Sequence, residues 1–418
     1  MTRRILVAPA GRRFSPNGGS EDRVVYDIVV TMAAREPDFQ FTCMAELADG
    51  EFPQGVVPVA VGPRRTEELG GFVLPFRIAR AAKTISPVES VDLVHHALPF
   101  SVGRSFSLLA SQARRIGLPV VLGPVQTPLE WTGADERGGR LEEGRPSPGL
   151  LRAAQAGATL TWPLTRKLLS SLSARTLRQA NRVVVYVPAA QALLESVGVD
   201  PKRMEVIPPP TWVSSTAPKC PPDLLGPCRL VTAGYLIARK GVRDIVTAVA
   251  ELVADGLDIV LDIAGDGPAA PALKDLVRHD GLSNVVHFHG WLDRPRLAEL
   301  LRTSHAYVSM SRGESWGQAV AEGLMSGLVV ISAANVGASS MRRLGAPVRL
   351  VRLGDVRQLS HELRQLCHTD RQTLARQGEE GAIWAARHIS RTAVAERWAD
   401  VYREAIEESR ALNTAQSS

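Results

Sequence analysis

The sequence predicts an α/β protein built from two doubly wound, Rossmann-like domains in tandem. Three observations carry that reading. Short apolar runs alternate with stretches of helical apolar spacing along most of the chain, the pattern of parallel strands joined by helical crossovers. A single proline-rich segment, VIPPPTWVSSTAPKCPPDLLGPC from Val206 to Cys228, interrupts the alternation; it is extended and cannot be helix. The length of 418 residues suits two domains of about 200 residues, each able to bury a core of its own.

In the first half, Ile5 to Ala8 is an apolar run ending at Pro9 and Gly11, which suits a buried first strand. A loop from Ser15 to Ser20 contains Gly18 and Gly19, and Glu21 to Ala34 carries Val24, Val25, Ile28, Val29 and Met32 at helical spacing. Further strands are expected at Phe39 to Cys43, Val56 to Val61, Val91 to Val94 (running into His95 and His96), Val120 to Leu122, and Val183 to Val187. Residues 127–150 are polar and rich in glycine and charge, an exposed loop. In the second half, strands are expected at Arg229 to Ala233, Asp258 to Ala264, Val285 to Phe288, Ala306 to Met310 and Leu328 to Ser332, with a helix from Val242 to Val253. From about residue 380 the chain reads as helix to about Asn413, with Trp384 and Trp398 as anchors. Two such domains leave a cleft between them, and ligands of these folds sit at the carboxyl ends of the strands.

Composition narrows the function classes. With 45% apolar and 22% charged residues, the chain is neither disordered, collagen-like nor a coiled coil. The net charge of +6, from 49 Lys and Arg against 43 Asp and Glu, is spread without long basic runs, so no nucleic-acid arm is expected. The excess suits a solvated surface, or attraction for an anionic substrate or weak peripheral association with an anionic membrane surface. Cys43, Cys220, Cys228 and Cys367 form no CxxC pair, so no zinc or other metal site is expected, and free thiols fit a reducing cytosol. The opening MTRRILVAPAG has too short an apolar run for a signal peptide, and no stretch of about 20 apolar residues occurs. A cytoplasmic, soluble protein is the expectation.

The most informative segment is SMSRGESWGQAVAEGLMSGLVVIS, Ser309 to Ser332. Seven residues separate Glu314 from Glu322. A helix from Gly317 to Ser326, closed by Gly327, leaves Glu314 in the preceding loop and Glu322 inside the helix. Eight residues of helix span about 12 Å, so two such carboxylates could hold two hydroxyl-bearing parts of one elongated ligand, with an anion at the helix start between them. A pair of solvated acids around a helix start is the plainer alternative. Lys240, in the loop Gly234-Tyr235-Leu236-Ile237-Ala238-Arg239-Lys240-Gly241, is placed to neutralise phosphate.

Together these segments resemble the retaining GT-B glycosyltransferases of family 4. That family carries, in order, G-R-L-x-x-x-K-G, a G-x-G-P turn, an F-x-G strand end and E-x7-E; the matching pieces are Gly234 to Gly241, Gly265 to Pro268, Phe288-His289-Gly290 and Ser311 to Glu322. The resemblance implies that Lys240 binds the donor diphosphate, Glu322 the ribose and Glu314 the transferred sugar. It places the backbone of Ser315, Trp316 and Gly317 on sugar and phosphate, and Gly290, Trp291 and Leu292 on the base. Two departures stand out. Tyr235 replaces the Arg of G-R-L, with Arg239 as a substitute cation, and Val336-Gly337-Ala338-Ser339-Ser340 lacks the acid of the family's G-G-x-x-E.

In the first half, Gly18-Gly19 with Glu21 resembles the family's G-G-x-E loop, which lets backbone amides approach the donor phosphate or the acceptor. Asp92-Leu93-Val94-His95 fits D-x-x-H. Consecutive strand residues face opposite ways, so only one of His95 and His96 can face the cleft. His95 is favoured, against the alternative of a buried structural histidine. Gly123-Pro124-Val125-Gln126 replaces T-x-H-G, which leaves Gln126 and Glu130 as acceptor contacts.

The implied protein transfers a sugar from a UDP- or GDP-linked donor to an acceptor hydroxyl on a sugar, a lipid-linked intermediate or a small natural product. It needs no cofactor; no D-x-D triplet for a divalent metal occurs in the sequence. The implied catalytic set is Glu314, Lys240 and His95. The expected domains are residues 1–207 for the acceptor, 208–385 for the nucleotide sugar, and 386–418 as helices crossing back to the first domain. A sugar-nucleotide epimerase or hydrolase, and a catalytically weak nucleotide-sugar-binding subunit, remain as alternatives.

Overall fold

The computed structural model describes residues 2–11, 13–16, 20–62, 76–82, 90–97, 100–101, 105–126, 167–212 and 226–417. The chain forms two compact units: Met1–Ile207 together with Ala395–Ser418, and Pro208–Val394.

The first unit is a parallel sheet in the order Met204–Val206, Arg182–Val185, Val120–Gln126, Leu93–His96, Arg3–Val7, Phe39–Ala45, Val56–Ala60, with Phe100–Ser101 paired beside Val120–Gln126. Ile5, Leu6 and Val7 are all fully buried, as suits a central parallel strand covered on both faces. The helix Ser20–Arg35 follows the first strand. Part of the cover comes from the long helix Arg391–Ser417. Its Trp398 and Tyr402 are buried, and Tyr402 meets Phe39 and Phe41 at ring-centroid distances of 6.0 and 6.5 Å. Arg182 pairs with Glu404 and Glu408, Arg403 with Glu36, and Arg410 with Asp92.

His95, favoured over His96 to face the cleft, is packed in this core, as in the alternative of a buried structural histidine. It is 2% exposed and lies 4.8 Å from the Trp398 ring. Its Nε2 is 2.9 Å from the Gly123 carbonyl oxygen and its Nδ1 is 2.7 Å from the Tyr402 hydroxyl. The carbonyl can only accept, so Nε2 carries the proton and Nδ1 accepts from Tyr402. Burial pulls the imidazole down to about 4, against the opposing effect of the Gly123 bond. The neutral ring thus has both nitrogens occupied within the core. His96 is buried as well, and burial followed by the neighbouring His95 pulls it down to about 3.

The second unit is a six-stranded parallel sheet in the order Val286–Gly290, Ile259–Ala264, Cys228–Ala233, Ala306–Ser309, Val329–Ala333, Val348–Val351. The helix Val242–Ala254 buries Val242, Ile245, Val246, Val249 and Leu252, the i, i+3, i+4 stripe of an amphipathic helix. Chain order runs outward in both directions from Cys228–Ala233. The switch point therefore lies between that strand and Ala306–Ser309, and the loops leaving their carboxyl ends diverge there. Those loops hold Gly234 to Gly241 and Ser311 to Gly317.

Candidate functional site

The site grows from three interlocked glycine turns. After the strand Cys228–Ala233 the chain turns at Gly234, makes a short 3-10 turn at Ala238–Lys240 and enters the helix Val242–Ala254 through Gly241, at φ 67°. A Cβ at Gly241 would lie 2.2 Å from the Met310 carbonyl oxygen, so only glycine lets this turn rest on the end of the next strand. The neighbouring turn is equally tight: a Cβ on Gly265 would lie 1.9 Å from the Gly234 carbonyl oxygen. Backbone bonds tie the set together, from Gly234 N to Ala264 O at 2.9 Å, Gly265 N to Gly290 O at 2.7 Å, and Leu236 N to Asp266 O at 2.9 Å.

Glu314 sits where the second loop meets this turn. Its Oε1 lies 2.5 Å from Lys240 Nζ and 3.8 Å from Arg239 Nη1, and it accepts from the Ser311 hydroxyl at 2.8 Å. Arg239 also donates to the Gly313 carbonyl. The loop is pinned from beneath: Gly337 N donates to Glu314 O at 3.0 Å, and Asn335 Nδ2 donates to Ser311 O at 2.9 Å. A Cβ on Gly337 would lie 2.1 Å from the Trp316 carbonyl oxygen. The segment that departs from the family's G-G-x-x-E is thus the floor on which Glu314 and Trp316 rest. Charge-assisted bonds of this kind are roughly twice as strong as neutral ones.

Glu322 lies inside the helix Gln318–Met325, whose N-cap is Gly317 at φ 90°. The carboxylate is 8% exposed. Its Oε1 accepts from the Trp212 indole N–H, and the Arg294 guanidinium lies 5.3 Å over the Trp212 ring. Burial pushes Glu322 up to about 7, against the lowering effects of the Trp212 bond and the Arg294 charge. Gln318 Nε2 donates to the Pro210 carbonyl at 2.8 Å, which anchors the same helix to the proline-rich segment. Tyr307 lies beneath. Its hydroxyl donates to Ala233 O at 3.1 Å, and a Cβ on Gly323 would lie 2.7 Å from its Cβ. One buried ring therefore supports both the helix of Glu322 and the strand end before Gly234.

Among the expected site residues, Arg239, Lys240 and Glu314 converge on one carboxylate oxygen, and Glu322 stands in the helix that follows. Gly290 ends an adjacent strand at φ 64°, followed by the 75% exposed Trp291 and the half-buried Leu292. Tyr235 is 54% exposed at the tip of its loop. Gln126 ends the strand Val120–Gln126, with its backbone paired to Ser101. Gly18, Gly19 and Glu130 lie outside the described residues. Sequence reasoning missed Trp212, Arg294, Ser311, Asn335 and Tyr307. Ser311 was within the quoted motif, three residues before Glu314, and its hydroxyl reaches forward to that carboxylate.

Residues 18–210 match the model of a glycosyl transferase 4-like domain, and residues 227–369 match glycosyl transferases group 1. The fold is that of the GT-B glycosyltransferases, and two glycosyl transferase models match the chain in turn. It is 26% identical over 227 residues to the 2-deoxystreptamine glucosyltransferase of Streptomyces kanamyceticus, covering 54% of this chain and 57% of that one. It is 28% identical over 171 residues to a lipopolysaccharide core biosynthesis glycosyltransferase of Rhizobium meliloti, covering 40% and 48%. The chain spans between 23% and 62% of the length of the curated relatives it matches. The Anabaena protein HepE, solved in complex with UDP, superposes with a TM-score of 0.63 at 16% identity over 97% of this chain and all of that one. Among the described residues no helix is long and apolar enough to cross a membrane, and no group of His, Cys, Asp and Glu is arranged to hold a metal ion.

Proposed function

We propose that this GT-B chain transfers a hexosyl group from a nucleoside diphosphate sugar to an acceptor hydroxyl, with retention of the anomeric configuration and without a divalent metal. The observation that carries the reading is the pair of unlike carboxylates at the switch point: Glu314 clamped by Lys240, Arg239 and Ser311, and Glu322 buried in the next helix. Relatives named for glucosyl transfer and for lipopolysaccharide core synthesis, and a structural neighbour solved with UDP, support the substrate class.

In this reading Glu322 accepts hydrogen bonds from the ribose hydroxyls. Lys240 and Arg239 neutralise the diphosphate, aided by the helix start at Gly317. Glu314 holds hydroxyls of the sugar that moves, and Gly290, Trp291 and Leu292 form the wall for the base. The acceptor oxygen forms its bond to the anomeric carbon on the face from which the diphosphate leaves, the bond from that carbon to the phosphate oxygen breaks, and the acceptor proton passes to the leaving phosphate. The protein contributes positioning and a fixed field of charges. His95 has no part in these steps.

Calorimetry with UDP and GDP, and turnover of the intact donor, test the assignment. Glu322→Gln is expected to weaken binding of the free diphosphate, whereas Glu314→Gln leaves that binding nearly intact and lowers turnover. Identical behaviour of the two variants would refute the division of roles. Activity is expected to persist in excess EDTA; loss restored by Mg²⁺ or Mn²⁺ would refute metal independence. Sugar release at the same rate with and without acceptor would make the chain a hydrolase.

A further inference from the structure

The geometry points to Trp212, braced by Arg294, as a positioning residue that fixes the Glu322 carboxylate as the acceptor for the ribose of the donor. This rests on the ribose assignment above and adds to it two residues from outside the helix and its preceding loop.

The argument begins with what a buried carboxylate needs. Glu322 is enclosed, and an ionised carboxylate without hydrogen-bond donors is costly there. Its own helix supplies none, because the helical N–H groups are turned into the backbone ladder. The donor comes instead from the extended segment after Pro208-Pro209-Pro210: the Trp212 indole N–H bonds Oε1. An indole has a single donor and no acceptor, so this contact has one orientation and one purpose. The ring is itself held. Arg294, the first residue of the helix Arg294–Arg302, lies over its face at 5.3 Å, a cation–π distance. The two residues before Trp212 are fastened: Gln318 Nε2 donates to Pro210 O at 2.8 Å, and Thr211 N donates to Ile389 O at 2.8 Å. One carboxylate oxygen is thus committed to a rigid donor, and the rotation of the group is fixed for the hydroxyl pair of a ribose.

The charges that face Glu322 can be named by element. Arg294 favours the ionised form from one side, the Trp212 bond favours it from the segment after the prolines, and Tyr307, on the strand Ala306–Ser309, stays neutral because burial pushes its hydroxyl upward. Burial opposes the ionised form, and the group titrates at about 7. Removal of the indole N–H moves that titration further up, so at neutral pH a smaller fraction of the protein has the acceptor ready.

The test is calorimetry of UDP and GDP binding to the full chain between pH 6 and 8.5, for wild type, Trp212→Phe, Arg294→Gln and Glu322→Gln. Wild-type affinity is expected to fall as pH drops through about 7. For Trp212→Phe the same fall is expected at a pH higher by about one unit, so binding is roughly fivefold weaker at pH 7 and close to wild type at pH 8.5. Arg294→Gln leaves the indole in place and is expected to move the profile in the same direction; it carries the test if the phenylalanine variant does not fold. A uniform loss at every pH, or an unmoved profile, would overturn the inference. If Glu322→Gln binds both diphosphates as wild type does, the ribose assignment falls and this inference with it; weak binding by Glu322→Gln with an unmoved Trp212→Phe profile overturns this inference alone.

Discussion

Replacing Glu322 by glutamine is expected to stabilise the second unit at pH 8 while leaving it nearly unchanged at pH 4. The carboxyl group is raised from 4.5 to about 7 by burial. Between those values the folded chain still holds a proton that the unfolded chain has released. Wild-type stability is therefore whole below pH 4.5 and is lost as pH rises through 7. At about 1.36 kcal/mol per pKa unit, the loss amounts to about 3 kcal/mol by pH 8. Glutamine keeps an oxygen for the Trp212 N–H, matches the volume, and titrates nowhere in this range. In a unit of this size that free energy corresponds to roughly 6–12 °C of melting temperature. Thermal unfolding of both proteins by circular dichroism at pH 4, 5.5, 7 and 8 measures the gap. A gap that stays constant or narrows with rising pH would refute the reasoning, because it would mean that Glu322 ionises in the folded chain at least as easily as in the unfolded one. A stabilised variant that has lost nucleotide affinity would be a stability–function trade-off in a single side chain.

Lys240→Ala is expected to weaken UDP or GDP binding by about 1.5–3 kcal/mol, the scale of a hydrogen bond to a charged group; an unchanged dissociation constant in calorimetry would make Lys240 a partner of Glu314 alone. Gly265→Ala is expected to unfold or severely destabilise the second unit, because the new Cβ meets the Gly234 carbonyl oxygen, whereas Gly281→Ala, with nothing within 4 Å, costs only the positive φ, about 1 kcal/mol; urea titration of the two compares them, and equal midpoints would refute the close-approach argument. Tyr402→Phe leaves His95 Nδ1 without its donor and is expected to cost about 1–3 kcal/mol of stability with turnover unchanged; a fall in kcat without loss of stability would return His95 to the chemistry.

Local chemistry was readable wherever one residue type settles it. Gly234, Gly241, Gly265 and Gly290 announced tight strand-to-helix turns, and all four have positive φ. The helix between Gly317 and Gly327 lies where its terminal glycines put it. The spacing of Glu314 and Glu322 put one in a loop and the other in a helix, but could not show that Glu314 is clamped by cations while Glu322 is buried. His95 was misplaced because strand periodicity says that neighbours face opposite ways, not which face is covered; the cover arrives from Trp398 and Tyr402, some 300 positions away. Trp212 went unnoticed because it follows three prolines in what reads as a linker. The helix Val336–Arg343 and the strand Val348–Val351 were not picked out: VGASSMRR is rich in small polar residues, and VRLV is only four residues long.

The helix from Arg391 to Ser417 also sets a timetable for synthesis. Residues of the first unit lie on both sides of the second, with 208–394 between them. At roughly 5–20 residues per second, a ribosome spends on the order of 10–40 s adding that insert after the strand Met204–Val206 has been made. Throughout that interval Phe39, Phe41 and the His95 ring have no Tyr402 or Trp398 to close over them. The second unit, by contrast, is continuous in sequence and can fold as soon as it emerges. The half of the molecule made first is thus the half completed last, and its sheet carries exposed apolar surface during translation. Chaperone dependence and aggregation of truncated products should both trace to the missing residues 395–417 rather than to the much larger second unit.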